Sequence, residues 1–467
     1  MKVKAESPVP QSRIKKRIAV LGAGACGLCA AKTMAQSGFD VTIFEVGSQI
    51  GGLWCYENDN GLSSAYRTLH INTSRDVTRF HDLDFDEKTQ YFPDHYDMHR
   101  YLVSYAQEFD LEKLIRFNTP IEKVEPLFDP SKGESPRWAL HTQQGEVLEF
   151  DSVIAATGHL SVPAHVPMFQ NDFTGEYVHA HHYREPEPYV GKRICIIGVG
   201  NSACDISGDV CATAKRCVLV ARSGVVIVPK LLFGKPFTDI TRMINRRWIP
   251  GWLRRKLVGW LMWIAHGDVS KLGFKKLSGE RAHITSNGTI VTDVAYSRIE
   301  IKHGVERIEG KTIHFVDGTA EEFDVLIAAT GYTIELPFVS RDIVPLEENR
   351  LELFKRMTRP EWPGLYLLGF FNLDSALNMV FEHQARWVRE IEMGQAALPS
   401  VTEMHADIAR KNHWQATHYR HSPRHTIEEE HVPYIMELEA SIKQMRKLAA
   451  QSTSRATSRA TRQDAAA

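Results

Sequence analysis

Gly22, Gly24 and Gly27 stand at G-x-G-x-x-G spacing inside RIAVLGAGACGLCAAKTMAQSGFDVTIFE. That spacing suits a diphosphate. The first glycine permits a tight turn, the second lets backbone approach a pyrophosphate, and the third lets a helix pack on a strand. The start of that helix offers free N–H groups and the positive end of its dipole. Glu45 follows Gly27 by 18 residues and ends the next apolar run, where a carboxylate can accept hydrogen bonds from a ribose. A lone motif of this kind can be a ligand-free turn; strand, helix and acid in register favour a dinucleotide site. GGLW at 51–54 allows a second close backbone approach to the same pyrophosphate. An acid plus a Gly-Gly turn fits FAD better than NAD, the plain alternative for GGLW being a simple turn.

A second loop, RICIIGVGNSACDIS, carries Gly198 and Gly200, with Ala203 at the third position, a tolerated variant. No acid ends its second strand. CVLVARSG puts Arg222 and Ser223 there instead. A cation and a hydroxyl suit a 2′-phosphate, so NADP is favoured over NAD, a solvated surface arginine being the alternative. Two such loops imply a flavoprotein that takes a hydride from NADPH. Other groups carry less. Cys26 and Cys29 form a C-x-x-C, but it falls in the phosphate loop and first helical turn, so a redox role is not expected. A disulfide reductase would need a second dithiol over the flavin, and none is visible. HAHH at 179–182 and the histidines from 413 to 431 lack thiolate company and zinc-like spacing, so no metal site is expected.

The elements that must position these groups show in an internal echo. RIAVLGAGACG is answered by RICIIGVGNSA, and FDSVIAATGHL by FDVLIAATGYT, at nearly one offset. Two similarly built units are expected, each opening with strand, loop and helix and closing with a strand that ends in Ala-Thr-Gly. The 467 residues exceed one hydrophobic core. An apolar fraction of 43% and a net charge of −1 are ordinary for a soluble globular chain and give no basic surface for nucleic acid. No apolar run reaches the roughly 18 residues of a spanning helix. The start, lacking a secretory core, reads as a polar tail. The last residues, QSTSRATSRATRQDAAA, are low in complexity and expected to be disordered. Seven scattered cysteines point to a reducing compartment, and a cytoplasmic location is expected.

Just before the second glycine loop lies FTGEYVHAHHY, in which Phe173, Gly175, His179 and Tyr183 spell F-x-G-x-x-x-H-x-x-x-Y. This resembles the fingerprint of the flavin-containing monooxygenases, the class B flavoprotein monooxygenases. Baeyer–Villiger relatives of the common type carry Trp where Tyr183 stands. LHINTSRDVTRFHDLDF, IAATGY, FEHQARW and RHTIEEEHVPYIMELEASI extend the likeness from about Arg17 to about Lys443. The resemblance implies that Gly22, Gly24, Gly27, Glu45, Leu53 and Trp54 hold FAD. It implies that Asn72 and Thr73 lie beside the flavin and the nicotinamide ribose, with Asn72 as the catalytic amide. Gly198, Gly200, Ser202, Ala203, Cys204 and Asp205 then match the NADPH loop, with Arg222 at the 2′-phosphate. The implied chemistry is transfer of one oxygen atom, from a hydroperoxide at flavin C4a, to a small-molecule soft nucleophile, an amine nitrogen or a sulfide. Baeyer–Villiger oxygenation of ketones and uncoupled NADPH oxidation are the alternatives. A homodimer is the family's frequent state.

The expected fold is α/β: two doubly wound, Rossmann-like domains, the NADPH domain inserted in the FAD domain. Residues 1–16 are a tail, 17–190 the first part of the FAD domain, 191–334 the NADPH domain, 335–446 the FAD return and 447–467 a disordered tail. One segment of the NADPH domain, about 231–275, departs from the pattern. It reads as helical, with arginines on one side and Trp, Leu and Ile on the other, interrupted by Pro250 and Gly251. It either covers the mouth of the site or, through about 249–266, touches a membrane surface peripherally.

Overall fold

The computed structural model describes residues 15–464 apart from 246–247, 277–280, 282–283 and 420–421, so most of the expected N-terminal tail lies outside the described residues. Two five-stranded sheets organise the chain, in a mixed α/β architecture. In chain order their strands and one small pair between them are β1 Arg17–Leu21, β2 Asp40–Phe44, β3 Ile115–Arg116, β4 Ser152–Ala155, β5 Glu176–His179, β6 Arg193–Ile197, β7 Arg216–Val220, β8 Val226–Val228, β9 Ile284–Ser286, β10 Glu300–Lys302, β11 Val325–Ala328 and β12 Leu365–Leu367. The first sheet runs β12-β4-β1-β2-β3 and the second β10-β7-β6-β11-β5, with every pairing parallel.

The two sheets repeat one plan. Each glycine-loop strand, β1 or β6, lies between its Ala-Thr-Gly strand, β4 or β11, and the strand reached through the loop helix. Those helices are α1, Ala25–Gln36, and α2, Asn201–Cys211. Parallel neighbours need such a crossover, and cover on both faces, the loop helix on one and an antiparallel meander on the other, explains why the strands are apolar throughout rather than alternating. β4 and β11 are buried at all four positions. Each Ala-Thr-Gly strand is preceded by a three-stranded antiparallel meander: Ile121–Pro126, Trp138–Thr142 and Val147–Phe150 in one case, Val305–Glu309, Thr312–Phe315 and Ala320–Glu322 in the other.

Two features depart from the sequence reading and a third follows it. The fingerprint strand β5 pairs with β11, so residues placed in the first unit form an edge of the second sheet. A four-residue edge strand carries too little pattern to declare its partner. The 231–275 segment is helical and interrupted, as read, into α3 at Phe237–Ile244 and α4 at Gly251–His266, with Pro250 capping α4 and Gly251 beginning it. Finally, the segment from 447 is not a disordered tail as far as it is described. After the return helix α5, Asn378–Glu392, the last helix α6 runs from His431 to Asp464. Its end contains no Gly or Pro and extends a helix already nucleated, so the low complexity of the stretch does not prevent helix.

Candidate functional site

Each glycine loop nests on the Ala-Thr-Gly strand of its own sheet. Gly22 has φ of +103° and a Cβ there would stand 2.8 Å from the Ala156 carbonyl oxygen; Gly198 has φ of +121° and a Cβ would stand 2.6 Å from that of Ala329. Only glycine meets both conditions. α1 and α2 begin on Gly24 and Gly200, and neither has a side-chain cap or an acidic residue in its first turn. Their leading N–H groups are thus left to a ligand, and an anion is what they favour.

A cavity of about 1080 Å³ opens from the first loop. It exceeds the roughly 300–1,000 Å³ of a site for one small ligand, which suits a flavin with a second group beside it. Its lining brings together Gly22, Gly24, Glu45, Leu53, Trp54, Asn72 and Thr73, all expected from sequence; Gly27 lies behind the loop. Glu45 is 4% exposed. Its carboxylate accepts the N–H of Ala23 at 2.7 Å and of Gly47 at 2.9 Å, which fixes the acid against the loop. The GGLW turn is tied to the same loop by the Gly51 N–H donating to the Ala23 carbonyl at 3.1 Å. Asn72 reaches the cavity from the INTS segment, and the Thr73 hydroxyl bonds that of Thr78 at 2.6 Å.

Gly198, Gly200, Ser202 and Arg222 are outside the lining of that cavity, which meets the second loop at Asn201. Arg222 stands two residues beyond β7, exposed, with no ion-pair partner among the described residues. Ala203 and Cys204 are buried in the core of the second sheet, so their side chains face away from a ligand. Asp205 corrects the sequence reading in the same way. Its carboxylate accepts Tyr66 Oη–H at 2.9 Å and Asn287 Nδ2–H at 2.7 Å, and burial pushes its pKa up. It braces the first unit against α2 rather than facing the loop. The motif spacing placed these residues at the loop but could not say which way each points.

The fingerprint acts as a joint. A Cβ on Gly175 would lie 2.6 Å from the Phe173 ring and 2.7 Å from the Asp324 carbonyl, so the run closes tightly on the second sheet. His179 is buried; its Nδ1 accepts the His181 N–H at 3.1 Å, and burial pushes its pKa down to about 4. Tyr183 donates to Asp209 of α2 at 3.2 Å and stacks on Tyr189. Asp209 also accepts Thr68 Oγ1–H from the first unit. Tyr66, Thr68 and Tyr183 therefore converge on one face of α2.

Residues 15–451 match the model of a family described as flavin-binding monooxygenase-like. The chain belongs to that family. Human flavin-containing monooxygenase 5 is 31% identical over 447 residues, 91% of this chain and 82% of the relative. Mouse dimethylaniline monooxygenase [N-oxide-forming] 2 is 29% identical over 448 residues, with the same coverage. Among solved structures, S-allyl-L-cysteine S-oxygenase from Allium sativum superposes with a TM-score of 0.68 at 24% identity, covering 95% of this chain and 93% of that one. An NADP-bound steroid monooxygenase gives 0.65 at 18% identity, covering 93% and 99%. This flavin-binding monooxygenase-like protein is an oxidoreductase.

Within this family member, Cys26 and Cys29 of the C-x-x-C are free and buried, and burial raises both thiols well above their usual range. Among the described residues no group of three or more His, Cys, Asp or Glu side chains is gathered as a metal site. Three residues that the sequence reading passed over stand at the site. Lys230, just after β8, donates from Nζ to the Ile71 carbonyl at 2.8 Å and to Asn72 Oδ1 at 2.9 Å. Arg424, in RHTIEEEH, places Nη1 2.9 Å from where a Cβ on Gly200 would be. Asp374 lines the cavity, accepts the His431 N–H at 2.8 Å and is pushed up by burial to about 6. RHTIEEEH carried a family signal; a lone lysine in VIVPKLL carried none.

Proposed function

We propose that this protein is an NADPH- and O2-dependent flavin monooxygenase that places one oxygen atom on a soft nucleophile, an amine nitrogen or a sulfide sulfur, and releases the other as water. The observation that carries the reading is the continuity of one cavity from the first glycine loop, past Asn72, to Asn201 beside the second. FAD fits the first part: Gly22, Gly24 and the α1 N-terminus at its pyrophosphate, Glu45 at its ribose, Leu53 and Trp54 along its length. NADPH fits the second loop through Gly198, Gly200 and Ser202, with Arg222 at the 2′-phosphate and Arg424 across the loop. The flavin, when bound, supplies hydride acceptance and oxygen activation. The chain supplies binding, orientation and dryness. Asn72 offers amide N–H groups where the nicotinamide ribose meets the flavin, and Val258, Met262 and Phe381 on the lining keep water away. The names of the relatives, an N-oxide-forming enzyme and an S-oxygenase, fit a substrate with a lone pair on nitrogen or sulfur. Tyr183 in place of Trp in the fingerprint supports this over ketone oxygenation. The test is to follow NADPH consumption, oxygenated product and peroxide on an amine, a sulfide and a ketone. Product from the amine or sulfide at close to one per NADPH is expected; peroxide alone, or product from the ketone alone, overturns the reading.

The same proposal places a bilayer at α4. Trp252, Trp260 and Trp263 are 58%, 60% and 62% exposed. Arg254, Arg255 and Lys256 accompany them, and α4 contains no acidic residue. Arg254, Val258 and Met262 line the cavity from the same helix. A basic helix with exposed tryptophans suits an anionic interface, with the cavity beneath it. Among the described residues no helix is long and apolar enough to cross a membrane.

A further inference from the structure

We propose that Lys230 is a positioning residue that locks the Asn72 amide with its oxygen turned away from the ligand, so that both amide N–H donors face the cavity. The inference rests on the reading of Asn72 as a donor to the bound nicotinamide cofactor.

Nζ of Lys230 is a donor with no acceptor capacity while protonated, so the atom of Asn72 that faces it must be the oxygen. The 2.9 Å contact to Oδ1 thereby decides the amide's orientation, which geometry alone leaves open for an Asn. A flipped amide would set donor against donor. The second bond, to the Ile71 carbonyl at 2.8 Å, holds the ammonium in place, and Ser286 Oγ–H donates to the Asn72 carbonyl at 3.3 Å. Among the described residues Asn72 Nδ2 has no protein acceptor, while Asn72 lines the cavity. Its two donors are therefore available to a ligand.

Lys230 is an unusual choice if its task were only to hold the loop. No carboxylate lies within ion-pair distance of it among the described residues. Asp205 on α2, already bonded to Tyr66 and Asn287, favours its charge from a distance. Phe92 lies 5.2 Å from Nζ, and burial pushes the ammonium down to about 8. Desolvating a cation without a counter-ion is costly. Here the cation's donors go to two neutral oxygens of the INTS segment. Lys230 and Asn72 are 158 residues apart, one in the chain of the second sheet and one in that of the first, so the lock forms only when the two units are together.

The test is a double-mutant cycle on the FAD-loaded, oxidised protein, read by NADP⁺ dissociation constant from the flavin visible spectrum, with flavin content and Tm alongside. Lys230→Met is expected to weaken NADP⁺ about three- to tenfold, the worth of one neutral hydrogen bond, with flavin content retained. Asn72→Ala is expected to do the same, and the double variant to be no worse than either single one. Lys230→Arg, which keeps donors and charge, is expected to return affinity to within about twofold of wild type. Should Lys230→Met fail to load flavin, Lys230→Ala, which also removes the donor, takes its place in the cycle. Unchanged NADP⁺ affinity in Lys230→Met, or losses that add in the double variant, overturn the inference while leaving the functional reading intact. Absence of NADP⁺ binding in the wild-type holoenzyme overturns the functional reading and the inference with it.

Discussion

Arg222 offers the sharpest test of cofactor choice. It is exposed, stands two residues past the end of β7, and its side chain has no bonding partner among the described residues, the one bond at this residue being Lys275 Nζ donating to its carbonyl at 3.2 Å. Arg222→Ala therefore removes nothing the fold depends on, and flavin content and Tm should be unchanged. What it removes is a guanidinium from the place where the strand after a dinucleotide loop meets the adenosine ribose. A charge-assisted bond to phosphate is worth about 1.5–3 kcal/mol. Exposure and salt screening select the lower end, so the loss for NADPH is about 1.5 kcal/mol, or about tenfold. NADH has no 2′-phosphate, so its KM should move by less than about twofold. Arg222→Lys keeps the charge but loses the planar fork and should fall between. The assay is steady-state KM for NADPH and NADH on both variants at low and moderate salt, with the NADPH penalty shrinking as salt rises. Equal changes for the two coenzymes, or no change for either, would refute the assignment.

Asn72→Ala should leave NADPH oxidation running while product yield falls and peroxide rises, because lost orientation and admitted water both favour release of peroxide; an unchanged ratio of product to NADPH returns Asn72 to a turn residue. Glu45→Ala strips the acceptor from the Ala23 and Gly47 N–H groups and leaves them unpaired, at about 1–3 kcal/mol each; the purified protein should carry little flavin by its visible absorbance, and full flavin content would remove Glu45 from the site. Replacing Trp260 and Trp263 by Ser should abolish co-sedimentation with vesicles rich in anionic lipid, with no binding of either protein to neutral vesicles; equal partitioning of variant and wild type would place the exposed face of α4 elsewhere. His179 is held at about 4 by burial against an ordinary 6.5, so the unfolded chain binds a proton that the folded chain refuses. Its contribution to stability is whole above about pH 6.5 and is lost as pH falls toward 4, up to about 3 kcal/mol. Chemical denaturation of wild type and His179→Gln across that window should show a steeper acid decline in the wild type; parallel curves would contradict it.

The glycine loops, the Ala-Thr-Gly strands and the acid at Glu45 were legible in the sequence because each answers a local demand: a backbone turn, a strand buried on both faces, a carboxylate at a strand end. Such demands restrict residue type at fixed spacing, and spacing is what a sequence displays. The repeated plan of the two sheets was legible for the same reason, as an echo at one offset. Direction was not. Asp205 sits in the motif but faces Tyr66 and Asn287. β5 reads as part of one unit and pairs with the other, since an edge strand's partner depends on which sheet offers unpaired backbone beside it. The role of the segment around α4 was split between cover and surface by its amphipathic pattern; the tertiary structure puts Val258 and Met262 on the cavity and the tryptophans outside. Lys230 had no signal at all. Its significance is a contact between residues 158 apart, created only when the second unit closes on the first, and no spacing along the chain encodes the orientation of an amide across that gap.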